Sequence, residues 1–348
     1  MNRKHIAVIF GGCSPEHGVS LASAAGILQH LDRSRFLPVL IGITKQGDWY
    51  LFEGDVSRVA DGSWERGRCT PACLSPNRGR HELLVFRETG VAHIPIDAAF
   101  PVLHGRNGED GTVQGLCELA GIPLAGCGTL ASALCMDKDR AHKLVSLSGV
   151  RVPNSCVLHT GDDAQFAEKA AEALGYPLFV KPVKAGSSFG VARITAPDAL
   201  GSAVEAAFYY DDRVLLEEAI PGFEVGCAVM GGDQLTLGEP DEIELAGGFF
   251  DYTEKYNLIT SKIHVPARIP PEKAAEIKAA ARTIYRALDC RGFARVDMFL
   301  TPDGEIVFNE VNTIPGFTSH SRFPLMMQAA GMSFDAVIAR IIDAALEA

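Results

Sequence analysis

Asp303-Gly304, set between the apolar runs Val296–Leu300 and Ile306–Phe308, restricts this chain more than any other feature. An Asp-Gly pair between such runs predicts a two-residue β-hairpin turn. With those two residues as the turn, Asp297 faces Glu310 and Arg295 faces Asn312. Alternation then puts all four on one face and sends Met298, Leu300, Val307 and Val311 to a core on the other. Two directly opposed carboxylates repel each other on a sheet. A divalent cation with oxygen ligands relieves that repulsion, and Asn312 adds a third oxygen. Few carboxylates and no nearby His favour Mg²⁺ held jointly with a phosphate substrate.

A second signal is Lys181-Pro-Val-Lys-Ala-Gly-Ser-Ser-Phe-Gly190. Glycines let backbone N–H groups approach an anion, and the Ser187 and Ser188 hydroxyls add donors. Lys181 ends its strand beside the loop, and Lys138 is a further candidate cation. The Walker A order is missing, and strands flank the loop on both sides. Glu217-Glu218-Ala219-Ile220 runs into Pro221-Gly222, a hinge-like break. Exposed backbone there suits an adenine edge, and Glu224 beyond it suits ribose hydroxyls.

The first third predicts an α/β fold with a doubly wound sheet. Ile6–Phe10 is apolar throughout, as in a parallel strand buried on both faces. A helix follows Ser14-Pro-Glu16, with Val19, Ala22, Ile27 and Leu31 as its buried stripe. Phe36–Ile43 and Ala98–Leu103 are further strands, and a helix runs from Thr112 to Ala120. Glu16 and His104 each lie just past a strand's carboxyl end, the ligand crevice of such sheets. Residues 57–80 are the least structured by pattern. The expected domains are 1–130, 131–226 and 227–348.

Composition narrows the function. Hydrophobic residues are 47% and charged residues 22%, which excludes disorder or coiled coil as a description of the whole. With 32 basic against 43 acidic side chains, net −11, the chain lacks the basic face of a nucleic-acid binder and is disfavoured on anionic lipid. No apolar run approaches the roughly 20 residues of a membrane helix, and Ile6–Phe10 is too short for a signal-peptide core. The nine cysteines are odd in number and scattered, which predicts reduced thiols in the cytoplasm. Cys69 and Cys73 lack a second ligand pair for zinc.

Taken together, the segments resemble the D-alanine–D-alanine ligase family of ATP-grasp enzymes. The carrying pieces are Phe10-Gly-Gly-Cys-Ser-Pro-Glu-His-Gly-Val-Ser20, Leu103-His-Gly-Arg-Asn-Gly-Glu-Asp-Gly-Thr-Val-Gln-Gly115 and Met136-Asp-Lys138. They continue with Val180-Lys-Pro182 through Gly-Ser-Ser-Phe-Gly190, Glu254-Lys-Tyr256, Arg295-Val-Asp297 and Asn309-Glu-Val-Asn-Thr-Ile-Pro-Gly-Phe-Thr-Ser319. They run in family order, with only 57–90 unmatched. Glu224–Met230, Gly248–Tyr256 and Thr318–Pro324 are nearer to the vancomycin-resistance D-alanine–D-serine ligases.

The resemblance implies an ATP-grasp fold behind an N-terminal α/β domain, and a homodimer serving peptidoglycan synthesis. Its substrates would be ATP, D-alanine and a second D-alanine or D-serine. Lys138, Lys181, Lys255, Ser187 and Ser188 would hold the phosphates, Glu217, Glu218, Ala219 and Ile220 the adenine, and Glu224 the ribose. Asp297, Glu310 and Asn312 would bind two Mg²⁺, with Mn²⁺ as a possible substitute. Arg295 and the Gly316 backbone would form the oxyanion site. Glu16 would take the first substrate's ammonium and Ser321 the second's carboxylate, and Tyr256 would link Ser187 to Glu16. His104, Asp241, Phe250 and Arg322 would complete the substrate pocket. Glu218-Ala219 departs from the lysine and aromatic of many relatives. Two alternatives stay open on sequence: another ATP-grasp carboxylate–amine ligase, and a nucleotide sensor without catalysis.

Overall fold

The computed structural model describes residues 3–245 and 261–347. Lys255, Tyr256 and Phe250 lie outside those residues.

The first sheet holds seven strands: β1 (Lys4–Gly11), β2 (Phe36–Ile43), β3 (Trp49–Phe52), β4 (Cys69–Leu74), β5 (Glu82–Arg87), β6 (Gly90–Pro95) and β7 (Ala98–Val102). Their order is β6-β5-β4-β3-β2-β1-β7, and β1 runs parallel to both β2 and β7. Alternate residues of β1 feed two cores. Ile6, Val8 and Phe10 pack with the helix His17–His30, while Ala7 and Ile9 pack with the helix Thr112–Ala120.

Two expectations change here. Residues 57–80 are not wholly irregular: they hold the short helix Ser57–Ala60, a 3-10 turn at Trp64–Arg66 and β4, which with β5 and β6 forms an antiparallel meander that widens the sheet. Short strands broken by Pro, Gly and Arg hid it from pattern reading. In the first helix the buried stripe is Leu21, Ala24, Ile27, Leu28 and Leu31. Val19 and Ala22 instead face a cavity.

The second sheet, in the order β10-β9-β11-β8, comprises β8 (Ser155–His159), β9 (Leu178–Pro182), β10 (Ala192–Ile194) and β11 (Arg213–Glu218). The third comprises β12 (Phe223–Gly231), β13 (Leu235–Leu237), β14 (Asp241–Leu245), β15 (Ser261–His264), β16 (Phe293–Leu300) and β17 (Ile306–Asn312). A boundary at 226 would cut β12; the change of sheet lies between Glu218 and Phe223. The chain's end returns to the first sheet. Phe317, Phe323, Met326, Val337 and Ile341 share one core with Phe10 and Phe100. Among the described residues no single helix is long and apolar enough to cross a membrane.

Candidate active site

The β16–β17 hairpin pairs Asp297 with Glu310 and Arg295 with Asn312, but by another route than a two-residue turn. Thr301 N–H donates to the Glu305 carbonyl at 3.0 Å, closing a three-residue turn whose Gly304 has φ +86°. A bulge then inserts Asn309 between the Met298–Phe308 and Asp297–Glu310 pairs. The two one-residue offsets cancel at the carboxylates. Phe308, not Val307, therefore joins Met298 in the core, and the bulge turns Glu310 back toward Asp297's face.

Asp297 is 1% exposed and heavily bonded. Arg295 donates to it through Nε at 2.8 Å and Nη2 at 2.6 Å, and Asn312 Nδ2 donates at 2.9 Å. Arg322 Nη2 lies 3.3 Å away. Arg322 also forks onto Asp241 at 2.6 and 2.9 Å and reaches Glu224 at 2.6 Å. Gly226 is required beside this network, because a Cβ there would stand 2.5 Å from the Arg322 guanidinium. The protein itself thus offsets much of the expected repulsion with two arginines, the buried Arg322 and the half-buried Arg295. Glu310 is half-buried, with the Lys138 ammonium 3.9 Å away. Among the described residues no three His, Cys, Asp or Glu cluster as metal ligands. The all-oxygen donors Asp297, Glu310 and Asn312 fit a hard cation whose shell is completed by phosphate oxygens.

The glycine loop follows β9. Ser187 and Ser188 stand at φ +47° and +60°, a left-handed conformation that costs non-glycine residues of order 1–3 kcal/mol each. The Ser187 hydroxyl donates to Glu16, joining the loop to the start of the first helix. Lys138 donates to the Ala185 carbonyl at 2.7 Å. Lys181 donates to the buried Glu217.

Two cavities meet at Lys138, Ala185 and Glu310. The larger, about 480 Å³, is walled by Lys181, Ser188, Ala219, Ile220, Glu224 and Phe299. The hinge lines it only from Ala219 onward. Glu218 turns away to accept from Asn154 N at 2.9 Å and Nδ2 at 3.0 Å, and Glu217 is turned to Lys181. The other cavity, about 310 Å³, gathers Glu16, His104, Ser187, Arg295, Asn312, Gly316, Ser321 and Arg322. Asp241 stands behind Arg322.

Comparison with known proteins agrees with this arrangement. The family models described as D-Ala–D-Ala ligase N-terminus and C-terminus match residues 5–127 and 144–343. The chain belongs to the D-alanine–D-alanine ligase family. The vancomycin B-type resistance protein VanB of Enterococcus faecalis is 46% identical, with all of both chains covered. A putative D-alanine–D-lactate ligase of Streptomyces coelicolor is 45% identical, over 99% of each chain. The crystal structure of VanG D-Ala:D-Ser ligase from Enterococcus faecalis aligns with a TM-score of 0.92 at 53% identity, covering 99% of this chain and 100% of that one. The solved structures of this family carry the ATP-grasp fold, and use of ATP with a divalent metal follows from family membership.

Glu109 is among the cavity residues of this ligase that were not singled out on sequence. Glu109 lines the site beside Lys138 and Glu16. Burial, then the Glu16 charge, push its carboxyl up to about 8. Its only sequence signal was membership of the His104–Gly111 loop. His104 is buried, its Nε2 3.4 Å from Ser23 Oγ, and burial pushes it down to about 4, so the ring stays neutral. Ser321 Oγ accepts from Thr318 N at 3.0 Å and lies where a Cβ on Gly316 would intrude.

Proposed function

We propose that this ligase activates D-alanine with ATP and joins it to D-serine, with D-alanine a second acceptor, in peptidoglycan precursor synthesis. The observation that carries the reading is the meeting of the two cavities. A nucleotide-sized space and an amino-acid-sized space share Lys138 and Glu310, with Arg295 just beyond.

A carboxylate is a poor electrophile, so the γ-phosphoryl group passes first to the D-alanine carboxylate, giving an acyl phosphate. Lys138 and Lys181 steady the phosphates, and two Mg²⁺ held by Asp297, Glu310 and Asn312 would spread their charge. Glu16 takes the first substrate's ammonium. The second amine attacks, and Arg295 with the Gly316 N–H stabilises the oxyanion; one such donor is typically worth about 3–4 kcal/mol. Phosphate then leaves. Ser321 receives the second carboxylate, Ala219 and Ile220 the adenine, and Glu224 the ribose. A closing segment that carries Tyr256 and Lys255 would keep water from the acyl phosphate.

The acceptor choice rests on the Arg322–Asp241 fork. A site built to hydrogen-bond a hydroxyl discriminates far better than an apolar wall. The likeness to VanG, a D-Ala:D-Ser ligase, supports D-serine. Phe250 would narrow the same wall. We infer on family grounds a cytoplasmic homodimer with a role in vancomycin resistance.

The test is phosphate release with D-alanine alone, with D-serine and with D-lactate, each product identified by mass. D-alanyl-D-serine should dominate at equal D-alanine and D-serine. Phosphate release independent of D-alanine would reject the ligase reading in favour of another carboxylate substrate. No release at all would favour a sensor.

A further inference from the structure

His142 has no part in the chemistry above, yet it touches both halves of the phosphate site. It sits on the helix Lys138–Leu147, one turn beyond Lys138, and is 3% exposed. Its Nε2 lies 2.9 Å from the Asn309 backbone carbonyl. A carbonyl only accepts, so Nε2 carries the proton and donates. The ring also meets Phe308 edge-on, with centroids 5.5 Å apart. Phe308 and Asn309 are the two residues at which β17 bulges. That bulge returns Glu310 to the face of Asp297; without it, alternation would put Glu310 on the core side with Phe308.

On its other side, Nδ1 lies 3.9 Å from Glu217 Oε2. Among the described residues neither atom has a hydrogen-bond partner, and both are buried. Burying two acceptors that face each other is costly. The ring is therefore not held in place by its Nδ1 side. Its orientation is set by the donated bond to Asn309 and the contact with Phe308.

We propose that His142 is a positioning residue, which clamps the Asn309 bulge and thereby aims the Glu310 carboxylate at the metal. The inference rests on Glu310 being a metal ligand. Groups that orient a ligand from behind typically contribute about 10–100-fold to metal affinity.

Two variants separate the clamp from general packing. His142→Gln can place an N–H donor near the Nε2 position, whereas the shorter His142→Asn falls short of the Asn309 carbonyl. Mn²⁺ binding to the protein–ADP complex is read by electron paramagnetic resonance, and ADP binding in EDTA by calorimetry. His142→Asn should weaken Mn²⁺ binding by about tenfold or more. Metal-free ADP affinity should stay within about twofold, and His142→Gln should recover most of the loss. Equal Mn²⁺ affinity in the two variants would overturn the clamp, as would parallel losses of metal and metal-free ADP binding. Glu310→Gln is the control on the underlying reading. If it leaves Mn²⁺ affinity intact, the metal assignment fails. If it weakens Mn²⁺ while His142→Asn does not, only the clamp fails.

Discussion

The two walls of the cavity are built on opposite principles. On the wall made by the third sheet and the helix Arg322–Ala329, the buried Asp297, Asp241 and Arg322 and the half-buried Arg295 interlock at 2.6–3.3 Å. On the facing wall, Ser187 and Ser188 hold strained left-handed backbone, and the Ser187 hydroxyl reaches across to Glu16. Fixed dipoles that need not reorganise suit the wall where charge develops. A strained loop joined to another part of the chain suits the wall that must admit nucleotide and then close over it. Stability should therefore reside on the first wall and adaptability on the second.

Asp297 and Glu310 break the comparison hardest, and they should break it differently. Either alanine substitution should abolish D-alanine-dependent phosphate release. Asp297→Ala should also destabilise the fold by roughly 3–5 kcal/mol, since it strips a buried partner from two arginines. Glu310 is half-buried, and Glu310→Ala should melt near wild type. This revises what the opposed carboxylates suggest on sequence alone, where removing either one would only relieve repulsion. Equal melting temperatures for the two variants would sink the idea of an arginine-neutralised wall.

Arg295→Lys comes next. The bidentate fork onto Asp297 is lost and the planar donor leaves the oxyanion position. Expect kcat to fall by about 10²–10³ while KM for ATP moves little. A change confined to KM would make Arg295 a ground-state binding group.

Much of this wall was legible from residues 295–312, and the reason is instructive. The true turn is one residue longer than Asp-Gly implies, and the Asn309 bulge shifts register once more. Asp297 still meets Glu310 because one offset undoes the other. The Phe308-for-Val307 exchange in the core was not legible, since bulges leave no periodic trace. Of the Arg322 network, only Asp241 as the group orienting Arg322 was anticipated; the reach to Glu224 and Asp297 was not. Its members, Glu224, Asp241, Asp297 and Arg322, sit on β12, β14, β16 and the helix Arg322–Ala329, far apart in sequence. Arg322 was identified as polar and near the acceptor, but its burial makes Arg322→Leu a poor specificity probe, since three carboxylates would each lose an arginine contact. Arg322→Lys keeps the charge and loses the fork. It should shift the product toward D-alanyl-D-alanine, and an unchanged product ratio would remove the fork from acceptor choice.

The strained wall gives a smaller effect. Ser188→Gly and Ser188→Ala both lose the hydroxyl, but only glycine is at ease at φ +60°. The glycine variant should be more stable than the alanine variant by about 1 kcal/mol in thermal melts. If alanine equals glycine, the loop is not under backbone strain.

The mildest perturbation is a change of pH. His104 belongs to the preassembled side, buried between Ser23 and the Ile314 backbone, with Arg295 nearby. Burial pushes its pKa down from 6.5 to about 4, and the Arg295 charge adds to that shift while the Ile314 carbonyl opposes it. The neutral ring is thus favoured in the folded state, and the unfolded chain binds the proton more readily. His104 costs the fold nothing above pH 6.5. Below it, stability falls by up to about 1.4 kcal/mol per pH unit, flattening as pH nears 4. At pH 5.5 the loss relative to neutral pH should be about 1.4 kcal/mol. Other groups titrate in the same window, so the test is a difference: unfolding free energy of wild type against His104→Gln between pH 7.5 and 5. Glutamine does not titrate, and the gap between the two proteins should narrow as pH falls. A constant gap would mean that His104 protonates in the folded protein as easily as in the unfolded chain, and that this corner of the wall is open to water.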